Sequence, residues 1–545
     1  MAWLLACDDG AARDSAPLQE GIQWGEEVAC EGGDDGLERF VDIGATALPD
    51  FTFGDTTDVF GLPAPGLSPM AVGDIDADGD FDLVLGDFGL SPVVERNDGD
   101  FVFAPVSTVP VVDTTPAEEG TLAPLSLALA DRDGDGLPEL WGTGFGWAAT
   151  WPNLGSGTFG PAELIIEPSH ELASFYMEFS LGDVNGDGTI DMGLAALGPL
   201  TGVEDTLQAT FQHAPGHVAV AYDLGGSWQV VPLDSAGGEF AMSAMRFTDR
   251  DLDGDLDILA PGDRQYVASF WRNDGNDADG LAVLEDDGFL IGFYTRISGM
   301  GMDQADLNGD GFPDYCITDT RAPACFFSDG AGGYYEGAAS ITLYQASPDT
   351  QNREISGWAF HFADFDNDGM PDAFQPSGAP VRYGEEVYMF PDQYDVLWEG
   401  RDDGTFFDVG TGHVVASVHE HYGASPVDLD GDGALELLVG GVGEPLHLYQ
   451  NRCTLGGWTQ IDLVGPAENR SALGARVVVT AGDRVHRREV AALAGPGQAP
   501  ARVHVGLGDV DTVDIAVTWP DGEKAEYTSV PSRRLVTITH PGAGG

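Results

Sequence analysis

The sequence predicts an all-β protein: a seven-bladed β-propeller that carries calcium loops, followed by a small C-terminal β domain. An acidic motif of nine residues occurs seven times along the 545 residues, at intervals of 52 to 66 residues. Each copy is followed by a short apolar run, typical of a strand, and not by a stretch with helical periodicity. Several repeats then carry a turn pair such as Asp-Gly, which favours a β-hairpin.

The first copy of the motif runs from Asp74 to Asp82 and shows the pattern of all seven. Positions 1, 3, 5 and 9 carry carboxylate or amide oxygens, position 7 would add a backbone carbonyl, and Gly at position 6 permits a sharp bend. Ligands of this type and spacing suit a hard cation, and calcium is the expected ion. Asp and Gly are also common turn residues, so the alternative is a set of solvated acidic turns. Seven copies in register favour calcium, with about seven ions per chain.

The predicted ligands, taken as loops one to seven in chain order, are Asp74, Asp76, Asp78 and Asp82; Asp131, Asp133, Asp135 and Glu139; Asp183, Asn185, Asp187 and Asp191; Asp249, Asp251, Asp253 and Asp257; Asp306, Asn308, Asp310 and Asp314; Asp364, Asp366, Asp368 and Asp372; Asp428, Asp430, Asp432 and Glu436.

Each repeat is interpreted as strand, calcium loop, strand, hairpin and strand, with a fourth strand such as Glu163–Ile166. The repeats are longer than the ~40 to 50 residues of a propeller blade, which leaves room for loop insertions. Radial closure of such units leaves only short, protected strand edges. We therefore expect a seven-bladed propeller over residues 37–455, with an open array of independent β modules as the structural alternative.

The repeats resemble the FG-GAP/VCBS repeat of integrin-type propellers, whose blades bear calcium in such loops. Four segments of the tail look like the ASPIC/UnbV domain: 469–477, 503–508, 513–522 and 535–538. The order of the two is similar to that of the cartilage acidic protein family. This resemblance implies an extracellular or cell-surface calcium-binding protein and supplies no catalytic residue.

Read from its residues alone, the tail over 456–545 is a separate small β domain. Apolar and polar residues alternate in Ala475–Thr480 and Val513–Trp519, which predicts half-buried strands. We expect Trp519 to be a core or sheet-face aromatic; the alternative is a platform for a sugar.

The charge of the chain is strongly acidic, with 91 Asp and Glu against 23 Lys and Arg. Seven calcium ions would add +14 to the formal net charge of −68, so the surface stays acidic even when the loops are filled. Such a surface repels nucleic acid and anionic bilayers. It permits a cationic partner or a high-salt habitat, although solubility alone would also explain it.

The amino terminus and the five cysteines predict an exported protein. Leu4-Leu-Ala-Cys7 has the form of a bacterial lipobox, although the preceding apolar region is short; either the start lies upstream or the match is due to chance. Residues 1–36 would then be a signal remnant and an acidic tether, with a lipid anchor at Cys7. The remaining cysteines are even in number and suit the disulfides Cys316–Cys325 and Cys30–Cys453, or two free buried pairs. No segment is apolar over the ~20 residues that a membrane helix needs.

Two further groups of residues are candidates for a functional site. His413, His419 and His421 with Glu420 could form an acid/base site, or be surface histidines of a strand. Arg246, Asp303 and His361 each lie three residues before a calcium loop and are predicted to face the central channel, as a ligand pocket or as a polar network.

We therefore expect a non-enzymatic, monomeric protein of the bacterial surface that binds a protein or glycan. The alternative is a calcium-dependent polysaccharide lyase or hydrolase, which rests on analogy with other propellers.

Overall fold

The computed structural model describes most of the chain. The described residues are 21–28, 39–49, 51–53, 68–87, 90–112, 124–144, 146–167, 175–197, 216–234, 242–263, 266–320, 322–343, 355–378, 382–383, 386–387, 393–409, 413–416, 419–441, 443–452, 456–494 and 497–543.

Two short strands precede the repeats: β1 (Ile22–Trp24) and β2 (Phe40–Asp42). The first three repeats each form four strands in chain order, which are β3 (Met70–Gly73), β4 (Asp82–Asp87), β5 (Leu90–Asn97) and β6 (Phe103–Thr108); β7 (Ser126–Ala130), β8 (Glu139–Gly144), β9 (Trp147–Trp151) and β10 (Glu163–Ile166); β11 (Phe175–Gly182), β12 (Asp191–Leu197), β13 (His217–Asp223) and β14 (Trp228–Leu233).

The remaining repeats contain β15 (Arg246–Thr248), β16 (Asp257–Ala260), β17 (Tyr266–Val267), β18 (Ser269–Asn276), β19 (Ala282–Asp286) and β20 (Arg296–Ile297); β21 (Met302–Ala305), β22 (Asp314–Ile317), β23 (Ala324–Ser328) and β24 (Tyr334–Glu336); β25 (His361–Ala363), β26 (Asp372–Gln375), β27 (Arg382–Tyr383), β28 (Glu386–Val387), β29 (Val396–Gly400) and β30 (Phe406–Asp408); β31 (His421–Val427), β32 (Glu436–Gly441) and β33 (His447–Asn451).

Each repeat builds its own antiparallel sheet, and we number these repeat sheets one to seven along the chain. Sheets one to three are β3 to β6, β7 to β10 and β11 to β14. Sheet four is β15-β16-β18-β19, sheet five is β21 to β24, and sheet six is β25-β26-β29-β30. Sheet seven is β31-β32-β33, completed by β2 from the start of the chain. The all-β fold of four-stranded sheets that the sequence predicts is confirmed.

The cores lie between neighbouring sheets. The strand β8 is buried over its whole length because sheets pack on both of its faces, so it shows no alternation of exposed residues. Apolar clusters join each repeat sheet to the next, and one cluster joins sheet seven to sheet one through Leu438, Leu448 and Met70. The arrangement is β-propeller-like, and the number of seven blades stays a prediction.

The C-terminal part contains β34 (Gly457–Val464), β35 (Arg476–Ala481), β36 (Arg484–Glu489), β37 (Ala492–Ala494), β38 (Val503–Gly508), β39 (Thr512–Thr518), β40 (Lys524–Pro531) and β41 (Arg534–Thr539). Seven of them form two four-stranded sheets, β1-β41-β34-β38 and β36-β35-β39-β40. Burial alternates along β35 as predicted, and Trp519 is a core residue at 2% exposure. The two sheets with their connections are called the C-terminal domain below.

Two strands pair outside their own part of the chain. The strand β1 pairs with β41, so residues 22–24 belong to the C-terminal domain and are not the tether that the acidic composition predicts. The strand β37 leaves the C-terminal domain and pairs with β11, the first strand of sheet three. The domain boundaries near residues 36 and 455, between tether and propeller and between propeller and C-terminal domain, stay a prediction.

The helices within the described ranges are short: α1 (Gly44–Ala47), α2 (Gly288–Ile291) and the 3-10 turns Ala338–Ile341, Val414–Ala416 and Ala467–Asn469. None of the helices in the described residues has both the length and the apolar character that a membrane crossing requires. Cys316 in β22 and Cys325 in β23 face each other and form the predicted disulfide. Cys7, Cys30 and Cys453 lie outside the described residues.

Candidate functional site

The seven acidic loops occupy the same place in every repeat sheet. Each loop connects the first strand of its sheet to the second, and the ninth position is the first residue of that second strand. The loops therefore lie at one end of the sheets, where the first strands end. Their shared place explains why the motif recurs in register.

Position 6 of each loop is a glycine with a positive φ, between 84° and 105° in all seven. Residues with a Cβ rarely adopt this conformation, so the sharp bend requires glycine. The bend aims the glycine N–H at the carboxylate of position 1, at 2.8 to 3.1 Å in every loop. The position 1 side chain is thereby fixed in the centre of the loop.

The acid at position 9 also holds the loop to the sheet. One of its oxygens accepts the backbone N–H of position 2 at 2.7 to 3.2 Å in all seven loops. In six loops the other oxygen accepts an N–H from the third strand of the sheet, as from Asn273 to Asp257 at 2.7 Å. Sequence reasoning treats this residue only as a ligand and misses its structural role.

The carboxylates converge within several loops. Oxygens of positions 1, 3 and 5 lie within 4.8 Å of one another in loops one and four, and those of positions 1, 3 and 9 do so in loops two and six. Buried carboxylate oxygens of Asp76, Asp249 and Asp306 have no hydrogen-bond partner. A set of hard, crowded and partly unsatisfied oxygens fits a calcium ion.

Burial raises the pKa of several acids in the loops. Desolvation raises the pKa of Asp82, Glu139 and Asp314 to about 7 and that of Asp257 to about 8. Neighbouring carboxylates within the same loop add to the rise in pKa in all four cases, and at Asp257 the nearby Arg250 opposes it. A bound cation would compensate the charge that burial penalises, so ion binding and deprotonation are coupled at these sites.

The C-terminal domain lies against the loop end of the repeat sheets. Arg476 Nη1 is 2.6 Å from Asp249 Oδ2 in loop four, and Arg487 Nη1 is 2.8 Å from Asp306 Oδ2 in loop five. Gln460 Nε2 donates to Asp428 Oδ2 of loop seven at 2.7 Å. Each of these bonds is made by a position 1 acid, so the docking of the C-terminal domain and the state of the loops are linked. The sequence contains no signal for this contact.

A segment of the C-terminal domain also reaches the first strands of the repeat sheets. Besides the pairing of β37 with β11, Gln498 accepts the N–H of Leu129 at 2.7 Å and donates to its carbonyl at 3.1 Å. Ser425 Oγ in β31 donates to the Gln498 carbonyl at 2.9 Å. Residues 492–494 and Gln498 thus contact the first strands of sheets two, three and seven.

The predicted channel residues Arg246 and Asp303 meet. Arg246 Nη1 is 2.9 Å from Asp303 Oδ1, and Phe362 N donates to the other oxygen of Asp303 at 2.9 Å. His361 precedes Phe362 on β25, and its buried Nε2 has no hydrogen-bond partner. Arg246 and Asp303 thus form an ion pair, and a cavity adjoins them.

This cavity of about 310 Å³ lies between sheets four and five and the C-terminal domain. Four arginines line it: Arg246, Arg476, Arg487 and Arg488. Asp249, Asp303, Asp306 and Glu489 line it as well, so two of the acidic loops, loops four and five, contribute to its wall. The four arginines and the four acids balance in formal charge, so the lining is close to neutral in a chain whose net charge is −68.

The predicted histidine group is assembled differently from the expectation. His419 and His421 lie together with Glu444 and His447, whereas His413 packs its ring against Phe40 at 5.9 Å. His421 is fully buried, so its interpretation as a surface histidine is wrong. Because His447 and Glu444 are more than 20 residues from His419 and His421 in the sequence, the sequence alone does not predict that the four residues lie together.

Comparisons with known proteins agree with the repeats and the tail. The model of the FG-GAP-like repeat matches residues 131–193 and 306–374, and that of ASPIC and UnbV matches residues 465–545. No curated protein sequence matches the chain.

Solved structures that the comparison matches to the chain include a lectin, a sialidase and a lyase. A lectin from Agrocybe aegerita that recognises terminal N-acetylglucosamine is 17% identical, with 64% of this chain and 80% of the lectin covered and a TM-score of 0.41. A Trypanosoma rangeli sialidase is 10% identical, covering 69% and 59%, with a TM-score of 0.35. A rhamnogalacturonan lyase from Bacillus licheniformis is 13% identical, covering 88% and 91%, with a TM-score of 0.33. These scores are too low to carry a function across. The chain therefore contains FG-GAP-like repeats and a C-terminal ASPIC and UnbV domain.

Proposed function

We propose that the chain is an extracytoplasmic calcium-binding protein that binds a protein or glycan through an acidic group of the partner. The observation that carries this proposal is the arginine-lined cavity between two calcium loops and the C-terminal domain. Calcium would make the loops rigid and release Arg476 and Arg487 from their pairing with Asp249 and Asp306.

The residues that would hold calcium are the predicted ligands at positions 1, 3, 5 and 9 of the loops. Support comes from the unpartnered oxygens of Asp76, Asp249 and Asp306 and from the raised pKa of the buried acids. Both features describe carboxylates that are destabilised without a compensating cation. When bound, the ion supplies that charge.

The cavity suits a carboxylate-bearing ligand such as an acidic sugar or an acidic side chain. Arginine binds carboxylates through two parallel N–H donors, which gives strong and oriented hydrogen bonds. Arg476 and Arg487 now pair with Asp249 and Asp306. Cations in loops four and five would satisfy those two acids, leaving both guanidinium groups for the ligand.

The disulfide Cys316–Cys325 supports a location outside the cytoplasm, because disulfides persist in oxidising compartments. A lipid at Cys7 would hold a monomer at the bacterial surface, as the sequence predicts.

The test is a binding screen of the calcium-loaded protein against acidic oligosaccharides, neutral oligosaccharides and surface proteins. Arg487→Gln should weaken binding of the acidic ligand about 10- to 100-fold, because a hydrogen bond to a charged group contributes about 1.5 to 3 kcal/mol. Arg484→Gln is the matched control: Arg484 is on the same strand and also pairs with a propeller acid, Asp402, but does not line the cavity.

Equal affinity of both variants for every ligand would contradict the cavity, and the lack of any calcium-dependent binding would contradict the function. Turnover of an acidic polysaccharide in the same screen would favour the alternative, a calcium-dependent polysaccharide lyase or hydrolase.

A further inference from the structure

We propose that His419, His421, Glu444 and His447 bind a divalent transition-metal ion of the zinc class, at a site separate from the calcium loops. One ligand atom from each of the four residues lies within 4.8 Å of the others. All four residues are in or next to sheet seven, since β31 begins at His421, β33 begins at His447 and Glu444 lies just before β33.

The site is at the other end of sheet seven from its acidic loop. His421 is the first residue of β31, and loop seven begins at Asp428, directly after the strand ends. Seven residues of extended chain span about 23 Å. A cation bound to the histidines is therefore not a calcium ion displaced from the loop.

Glu444 lies between the three rings. Its Oε2 is 2.6 Å from His419 Nδ1, 3.8 Å from His447 Nε2 and 4.0 Å from His421 Nε2. The ring centroids are 4.9 to 5.0 Å apart in all three pairs. Ligand atoms of a tetrahedral zinc ion with bonds of ~2.0 Å are about 3.3 Å apart, so small side-chain movements would complete the coordination.

Two of the rings are held in the orientation that a metal requires. His421 Nδ1 is 2.5 Å from Asp395 Oδ2, and His447 Nδ1 is 2.7 Å from Asp42 Oδ2. A carboxylate that accepts the proton of one ring nitrogen leaves the other nitrogen as a lone pair, and metal-bound histidines have this arrangement almost without exception. The two Nε2 atoms then point towards Glu444.

The buried Nε2 atoms give independent support. The Nε2 of His421 and that of His447 have no hydrogen-bond partner, and His421 is 0% exposed. A buried polar nitrogen without a partner is destabilising, and a bound metal would remove that cost. Protonation of all three rings instead would place like charges within about 5 Å of one another, which is unfavourable.

The donor set determines the class of the ion. Three imidazole nitrogens and one carboxylate favour zinc and other late first-row divalent ions, whereas calcium prefers oxygen ligands alone. Asp42 belongs to β2, the strand from the start of the chain that completes sheet seven. The metal would thus fasten the closing strand to the last repeat.

The experiment uses the full chain, stripped of metal with a chelator and then kept in millimolar calcium so that the acidic loops are filled. Zinc chloride is titrated by calorimetry, and cobalt chloride by the visible absorption of four-coordinate Co²⁺. We expect one zinc ion per chain with a Kd below 1 μM, as is ordinary for a site with four protein ligands.

The variants His419→Ala and His447→Ala should each weaken zinc binding at least 100-fold. Asp42→Ala, which removes only the orienting carboxylate, should weaken it about 10- to 100-fold. His413→Ala is the matched control and should bind zinc like the natural chain, because His413 packs against Phe40 and is not one of the four ligands. Circular dichroism confirms that each variant is folded.

Absence of stoichiometric zinc binding to the natural chain would overturn the proposal. So would unchanged zinc affinity in both His419→Ala and His447→Ala, or Co²⁺ spectra without the bands of nitrogen-ligated, four-coordinate cobalt.

Discussion

Replacing Asp257 or Asp253 by alanine separates the two roles that the structure gives to the acids of loop four. Asp257, at position 9, is 1% exposed and accepts the N–H groups of Arg250 at 3.2 Å and Asn273 at 2.7 Å. Its loss leaves two buried donors unsatisfied, at about 1 to 3 kcal/mol each. We expect Asp257→Ala to lower the free energy of unfolding by about 2 to 6 kcal/mol even without calcium.

Asp253, at position 5, is exposed and is a predicted ligand without such a role in the sheet. Asp253→Ala should therefore change the stability of the calcium-free protein by less than about 0.5 kcal/mol. With a Kd of about 10⁻⁴ M, one site contributes about 1.4 kcal/mol at 1 mM calcium, and the variant should lose that amount together with one bound ion.

Urea denaturation of both variants with EGTA and with 1 mM calcium measures these differences. Equal destabilisation by Asp253→Ala in the two conditions would refute its assignment as a ligand. A calcium-free Asp257→Ala as stable as the natural chain would refute the structural role of position 9.

Three further results are expected. In EGTA, the free energy of unfolding should fall as the pH rises from about 4 to about 8. The pKa in the folded protein is about 7 for Asp82 and about 8 for Asp257, above the ordinary value of 3.8, so both acids favour the folded state while protonated and lose that contribution as they ionise. A free energy of unfolding that rises over this range would contradict the assignment, and saturating calcium should reduce the effect. Gln498→Ala should destabilise the protein by about 2 to 3 kcal/mol by leaving the N–H and carbonyl of Leu129 without partners, and a change under 0.5 kcal/mol in urea denaturation would show that the segment is not docked. Mass spectrometry of protein from its native host should find the pairs Cys316–Cys325 and Cys30–Cys453 and a lipid on Cys7; free thiols would refute the pairing, and an unmodified chain from Met1 would refute the anchor.

The repeats could be predicted from the sequence because their causes are local. A glycine at position 6 and acids at fixed spacing determine the loop by themselves, and the apolar run after Asp82 or Asp257 determines the next strand. The motif predicts position 9 as a ligand but does not predict its role in the sheet. Asp257 accepts the N–H of Asn273 on the third strand, and the spacing of the motif does not show that this strand lies next to the loop.

Contacts between distant parts of the chain could not be predicted. The pairing of β37 with β11 and of Arg476 with Asp249 depends on how the C-terminal domain packs against the repeat sheets, and the pairing of β1 with β41 joins the two ends of the chain. Likewise, His447 joins His421 only because β32 places β33 near β31 in sheet seven. Such juxtapositions follow from tertiary packing, for which a single sequence carries no periodic signal.

The number of calcium ions per chain tests the central claim most directly. The chelator-stripped protein is titrated with calcium by calorimetry, and its calcium content is then measured by elemental analysis after dialysis against a known free concentration. Seven loops with the same hydrogen-bonded geometry predict about seven ions per chain. A folded protein that binds no calcium at millimolar concentration, or whose stability is the same in calcium and in EGTA, would contradict the account.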